Sequence, residues 1–241
     1  MFVFEDLTAA RRKILLQLEN KLGVKFNKIE LLNTALTHSS YANEKGKIFD
    51  NNERLEYLGD AVLELASSTY LFNNFGNMTE GELTRTRATV VCQDTLSKLA
   101  IKLGLGKIIL LGHGEDTSGG RNRESTLEDV FEAVIGAIYL DNGWEVARDY
   151  IFRQLAPEFD KIRAGKKLKD YKTQLQEIVQ QNPDRILEYV ELGESGPDHM
   201  KTFKCAVKID NKIFGTGIGK SKKQAEQMAA QQAIDKILED N

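Results

Sequence analysis

The sequence predicts a multi-domain protein in which an all-α domain precedes a small α+β domain of order α-β-β-β-α, and three observations lead to that reading. Apolar residues recur at helical spacing in block after block over residues 7–155. Beyond Pro157 the pattern changes to alternation, as in MKTFKCAVKID, where Phe203, Cys205, Val207 and Ile209 share one face. The charge changes at the same place. Residues 1–160 hold 18 Lys+Arg against 24 Asp+Glu, whereas residues 161–241 hold 15 against 12, so an acidic part precedes a basic one within a chain of net charge −3.

The helical blocks follow in order: AARRKILLQLENKL, KIELLNTALTHSS, NNERLEYLGDAVLEL with its extension ASSTYLFNNF, TEGELTRTRATVVCQDTLSKLAIKL, STLEDVFEAVIGAIYLDNG and WEVARDYIFRQLA. Polar or glycine-rich breaks separate them, chiefly ANEKGKIFDNN and LGHGEDTSGGRNRES. Ser125 with Glu128 has the spacing of a capping box, which predicts a helix start near Thr126. Pro157 and the basic run DKIRAGKKLKD mark a linker, giving expected divisions at 1–156, 157–169 and 170–240. In the second part DYKTQLQEIVQQ reads as a helix, EYVELGE, MKTFKCAVKID and KIFGTGIGK as strands, and SKKQAEQMAAQQAIDKILE as a closing helix.

With 41% hydrophobic and 29% charged residues the chain can fill a core and cover it. It has no apolar window approaching the roughly 18 residues of a membrane span, and its first residues lack the pattern of a secretory signal. Cys92 and Cys205 are isolated from each other and from any CxxC pair, which argues against a zinc site or a disulfide framework and for a reducing, cytoplasmic setting. The single tryptophan, Trp144, reads as a core residue, and His38 and His113 as local hydrogen-bonding groups.

Two helices carry unusual acids. At about 100° per residue, Glu53, Glu56, Asp60 and Glu64 fall within one wedge, opposite Leu55, Leu58, Ala61, Val62 and Leu65. Like charges three or four positions apart cost roughly 0.2–0.5 kcal/mol per pair, a penalty that a cation over the wedge would remove. An acidic face turned to solvent is the other explanation. In STLEDVFEAVIGAIYLD, Asp129 and Glu132 enter a segment that is apolar on nearly every side from Val130 to Leu140. A helix N-terminus accounts for Asp129. Glu132 needs a proton, a basic partner or a metal. Carboxylates from two helices at these spacings are a recurring way to build a divalent-cation site in a bundle, and an all-oxygen donor set suits Mg²⁺ or Mn²⁺.

In the basic part, Ser221 and Gln224 form an N-cap pair that places Lys222 and Lys223 in the first turn of the last helix, beside Lys220. Cations there oppose the helix dipole unless an anion binds, and phosphate suits the free N–H groups and ammonium groups together. Surface lysines tolerating a poor position are the alternative. The expected sheet shows no aromatic platform of the kind that stacks single-stranded bases.

NERLEYLGDAVLEL closely resembles the signature of the bacterial ribonuclease III family. TEGELTRTRATVV, GEDTSGGRNRESTLEDVFEAVIGAIYLD and the segment with GTGIGKSKKQAEQMAAQQA are similar to that family in the same order, over nearly the whole chain. The resemblance implies an all-α endonuclease domain that forms a homodimer, followed by a double-stranded-RNA-binding domain. It implies that Glu56, Asp60, Asp129 and Glu132 are the catalytic, metal-binding carboxylates, with Glu53 and Glu80 as accessory acids near the scissile strand. Tyr57 stands where the family commonly has Phe in a dimer contact. Glu64 matches none of the family's acids and reads as solvent-facing.

For the second domain the resemblance implies minor-groove contacts by Gln174, Glu177 and His199, and phosphate contacts by Lys220, Lys222 and Lys223. The expected activity is Mg²⁺-dependent hydrolysis of double-stranded RNA, with Mn²⁺ able to substitute. The products would have 5′-phosphate and 3′-hydroxyl ends with short 3′ overhangs. Ribosomal RNA precursors and structured messenger RNAs would be the substrates. A non-cleaving binder of duplex RNA and a DNA nuclease are the rival readings. The intact carboxylates oppose the first, and the resemblance of the tail to a reader of A-form grooves opposes the second.

Overall fold

The computed structural model describes residues 2–46, 49–164, 171–182, 185–195 and 201–239. The chain divides into two compact units, residues 1–166 and 167–241.

In the first unit nine helices follow one another among the described residues: α1 (Ala9–Leu22), α2 (Ile29–Ala35), α3 (Ser39–Glu44), α4 (Glu53–Asn74), α5 (Glu80–Val90), α6 (Gln93–Leu103), α7 (His113–Thr117), α8 (Glu124–Asn142) and α9 (Trp144–Arg163). Helix α8 is the central post. Thr126, Leu127, Val130, Phe131, Ala133, Val134, Ile135, Gly136, Ala137 and Ile138 are all buried, as the unbroken apolar run requires. Against it lie α4 and α9; Tyr150 of α9 faces Phe131 of α8, while Phe159 of α9 stacks on Tyr70 of α4 with ring centroids 3.7 Å apart.

Several local expectations are corrected. The block TEGEL…LAIKL is two helices, because Cys92 is extended (φ −85°, ψ 158°) between α5 and α6. Thr79 and Glu82 close the capping box that starts α5. Helix α8 begins two residues before Thr126, with Arg123 at its N-cap and no side-chain cap, so the Ser125–Glu128 box does not form. The glycine-rich break before it contains α7 and a short 3₁₀ turn, tied down by Arg121, whose Nη2 donates to Asp116 Oδ2 at 2.8 Å and whose Nη1 donates to the Ile109 carbonyl at 2.8 Å. Trp144 is only half-buried, at the first position of α9.

The expected linker start is also corrected. Pro157 lies inside α9, which runs on to Arg163, although proline leaves the Arg153 carbonyl without its helical donor. Burial of Leu155, Phe159 and Ile162 on one face outweighs that loss. Residues 165–170 of the expected linker lie outside the described residues.

The second unit has the expected order: α10 (Tyr171–Gln180), β1 (Leu187–Ser195), β2 (Thr202–Ile209), β3 (Lys212–Gly219) and α11 (Lys222–Glu239). The three strands form an antiparallel sheet in sequence order, with Tyr189 opposite Val207 and Val207 opposite Gly215. Leu175 and Val179 of α10, Val207 and Ile209 of β2, and Ala229, Ala230, Ala233 and Ile234 of α11 make its core. Helix α11 lies so close to β3 that a methyl group at Gly217 would overlap the Ala225 carbonyl.

Candidate active site

The acids of α4 and α8 meet because two glycines let the helices touch. A methyl group at Gly59 would run into the Glu132 carbonyl, and one at Gly136 into the Leu55 carbonyl. No side chain longer than hydrogen fits between the backbones there. The crossing pairs Gly59 with Glu132 and Leu55 with Gly136, so the helices run antiparallel. Glu56 and Asp60 therefore flank the same contact as Glu132, and Asp129 lies one turn earlier on α8.

The charges of these acids act on one another. Burial pushes Glu132 up to about 8, helped by the charges of Asp60, Glu128, Glu56 and Asp129. Burial likewise raises Glu56 to about 7, with Asp129, Glu53, Glu128 and Asp60 adding to it. Asp60 is raised by burial and by Glu64, and Arg87 partly offsets the effect. Asp129 is raised by burial, with His38 opposing. Among the described residues none of the four makes an ion pair with Lys or Arg. The structural ion pair that would explain Glu132 blandly is absent there.

The same side chains do not stand in ligating geometry. Among the described residues no three His, Cys, Asp or Glu groups are placed to hold one ion. The donor set nevertheless fits a hard divalent cation: oxygen only, partly buried at Glu56, Asp129 and Glu132 with Asp60 exposed beside them, mutually repelling and without an ion-paired Lys or Arg among the described residues.

Of the accessory acids, Glu53 is exposed at the first residue of α4 and its charge reaches Glu56. Glu80 is exposed at the start of α5, where it accepts a hydrogen bond from Thr84 Oγ1 at 3.2 Å, and it is not among the charges that act on the four. Glu128, read from sequence as a capping partner, belongs to the cluster instead: burial, Asp129 and Asp60 raise it. Its place four residues before Glu132 was the signal. His38 accepts from the Ser40 amide at 3.2 Å and pairs with Ser40 Oγ at 2.8 Å, a local role as expected.

Helix α4 proves three-sided. Leu55, Gly59, Val62 and Ala66 are buried, the acids form the second side, and Tyr57, Leu65 and Phe72 form an exposed apolar stripe, 82%, 57% and 73% accessible. Leu65 and Ala61, placed from sequence on the core face, lie on this outer side.

In the second unit Gln174 and Glu177 are exposed on α10, and Lys220, Lys222 and Lys223 are exposed at the start of α11. Ser221 Oγ accepts from the Gln224 amide at 3.2 Å, and Gln224 Oε1 accepts from the Lys220 amide at 2.8 Å. Lys222 Nζ pairs with Glu191 of β1 at 2.7 Å, a partner that sequence spacing does not reveal. His199 lies outside the described residues.

A helical unit with a carboxylate cluster, followed by an α-β-β-β-α unit with lysines at a helix N-terminus, suits a nuclease joined to a nucleic-acid-binding module, and the comparisons give that class. Residues 28–159 match the Ribonuclease-III-like family and residues 171–237 the double-stranded RNA binding motif. The chain is 47% identical over 234 residues to Ribonuclease 3 of Geobacillus sp. (strain WCH70), covering 97% of this chain and 95% of the relative. It is 48% identical over 225 residues to Ribonuclease 3 of Listeria monocytogenes, covering 92% and 97%. The nuclease domain of the Campylobacter jejuni ribonuclease III superposes with a TM-score of 0.56 at 41% identity, covering 60% of this chain and 97% of that one. The chain belongs to the ribonuclease III family and is an endoribonuclease acting on double-stranded RNA.

Proposed function

We propose that Glu56, Asp60, Asp129 and Glu132 bind Mg²⁺, with Mn²⁺ able to substitute, and that the chain cuts duplex RNA to leave 5′-phosphate and 3′-hydroxyl ends with short 3′ overhangs. The observation that carries this reading is that Glu56 and Glu132 are partly buried, raised to about 7 and about 8, and without a basic partner among the described residues. Such groups are stabilised by a proton or by a cation. Bound there, a divalent ion supplies Lewis-acid activation of water and neutralises charge developing on the phosphate. Glu56, Asp60, Asp129 and Glu132 would hold it through carboxylate oxygens in their ionised form. Glu53, beside Glu56, and Glu80, on the neighbouring helix, orient the strand.

The chain works as a homodimer, because the two strands of a duplex are related by two-fold axes and a symmetric pair presents one site to each. The apolar stripe of Tyr57, Leu65 and Phe72 on the helix that bears Glu56 and Asp60 supports this. Gln174, Glu177 and His199 contact the minor groove, and Lys220, Lys222 and Lys223 hold phosphates. Ribosomal RNA precursors and structured messenger RNAs in the cytoplasm are the substrates.

The test is cleavage of duplex RNA across a Mg²⁺ titration, with end-group analysis and a DNA duplex as competitor. Cutting that needs the metal and yields 5′-phosphates is expected. Turnover in excess chelator, or 3′-phosphate products, would remove the metal mechanism.

A further inference from the structure

Beside the carboxylates stands a basic group that the mechanism above does not use. Arg87 reaches from the last turn of α5 to α4, where its Nη1 donates to Ser68 Oγ at 2.9 Å and its Nη2 lies 3.9 Å from Glu64 Oε1. Asp60, Glu64 and Ser68 are successive turns on one side of α4, so the guanidinium overhangs the end of the acidic side, and its charge acts on Asp60. Its side chain is 32% accessible.

The geometry leaves most of this group's hydrogen-bonding capacity open. A guanidinium has about five N–H donors in a fixed fork, and charge-assisted bonds close to roughly 2.7–2.9 Å. Ser68 takes one donor and is neutral, while 3.9 Å is too long for Glu64 to take another. Its long-range attraction to Glu64 and Asp60 leaves that fork free to take an incoming anion. The anion that meets these carboxylates is the RNA backbone, and an arginine fork matches phosphate oxygens in pairs.

We propose that Arg87 contacts a backbone phosphate of the strand being cut, next to the scissile bond, and that Ser68 holds its fork ready. The proposal rests on the reading that Glu56, Asp60, Asp129 and Glu132 surround the cutting site. It names a substrate-contacting residue on α5, outside that metal set.

The test uses the full chain and a duplex RNA, with Ca²⁺ in place of Mg²⁺ so that binding is read without turnover. Arg87→Gln is expected to weaken binding about tenfold and to lower the salt slope of log K by about 1, the signature of one lost phosphate contact. A methylphosphonate, which removes one backbone charge, is then moved along the cut strand. At one position near the scissile bond it should weaken wild-type binding while leaving Arg87→Gln unaffected. Should Arg87→Gln fail to fold, Arg87→Lys replaces it, keeping the charge but losing the fork, with reduced sensitivity expected at that position. An unchanged salt slope, or equal methylphosphonate sensitivity in wild type and variant at every position, overturns the proposal. Wild-type cleavage in Mg²⁺ is measured alongside. Its absence would count against the cutting-site reading, whereas the binding results bear on Arg87 alone.

Discussion

Glu132 shows most plainly how burying an acid without a basic partner sets one residue against stability. Its folded-state value is about 8 against an ordinary 4.5, so between those pH values the folded, metal-free protein holds a proton that the unfolded chain releases. Stability therefore falls as pH rises from about 5 to about 8 and levels off above. Glu132→Gln cannot ionise and should escape this loss. In chelator at pH 8 it should be more stable than wild type by ~1–2 kcal/mol, allowing for solvent screening of a partly exposed group, and the two should converge near pH 5. Thermal melts across that range check it. The same variant should lose RNA cleavage while retaining duplex binding. Near-wild-type turnover would remove Glu132 from the mechanism.

At the scale of elements, the α4–α8 crossing depends on Gly59 and Gly136, and no side-chain packing can substitute for backbone contact. Gly59→Ala must push the helices apart or strain them, at a cost of about 1–3 kcal/mol or more, and should reduce cleavage further by separating Glu56 and Asp60 from Glu132. Denaturant melts with Mg²⁺-dependent cleavage of the refolded variant test both. In α9 the penalty runs the other way. Pro157 sits in a helix interior, so Pro157→Ala restores a backbone donor to the Arg153 carbonyl and should raise stability by about 1–3 kcal/mol, readable in the melting temperature. A loss of stability would mean that the ring itself packs usefully.

For the whole molecule the division of charge and the exposed side of α4 matter most. On the proposed reading, the acidic nuclease unit repels RNA until cations fill its site, while lysines at the start of α11 supply salt-sensitive attraction. Leu65→Asp with Phe72→Asp puts charge into the apolar stripe without touching the acids. Sedimentation should show a monomer for this variant and a dimer for wild type, and cutting should fall from two strands to single nicks or to nothing. An unchanged dimer would place the interface elsewhere. Among the described residues no helix is long and apolar enough to cross a membrane.

The helices, the three strands and the candidate acids were legible because each rests on local spacing. Glu56 and Asp60, or Asp129 and Glu132, share a side of a helix whatever surrounds it. Glu128 was misread because capping and clustering use the same residue types at similar spacing, and only the helix start at Glu124 separates them. Pro157 was misread because proline's local penalty was outweighed by apolar burial farther along α9. Leu65 was placed inward because helical periodicity groups apolar residues without saying whether one partner surface or two will cover them.

Periodicity, capping chemistry and charge in the sequence by themselves determined a helical acidic unit, a basic α-β-β-β-α unit and the residue types of the site. Only the tertiary structure decided that α4 and α8 touch at Gly59 and Gly136, that Glu132 has no basic partner among the described residues, and that Arg87 reaches across to Ser68 and Glu64 of α4. The reason is physical: local pattern is set by bonded geometry within one element, whereas burial, pairing and field depend on which elements pack together in space.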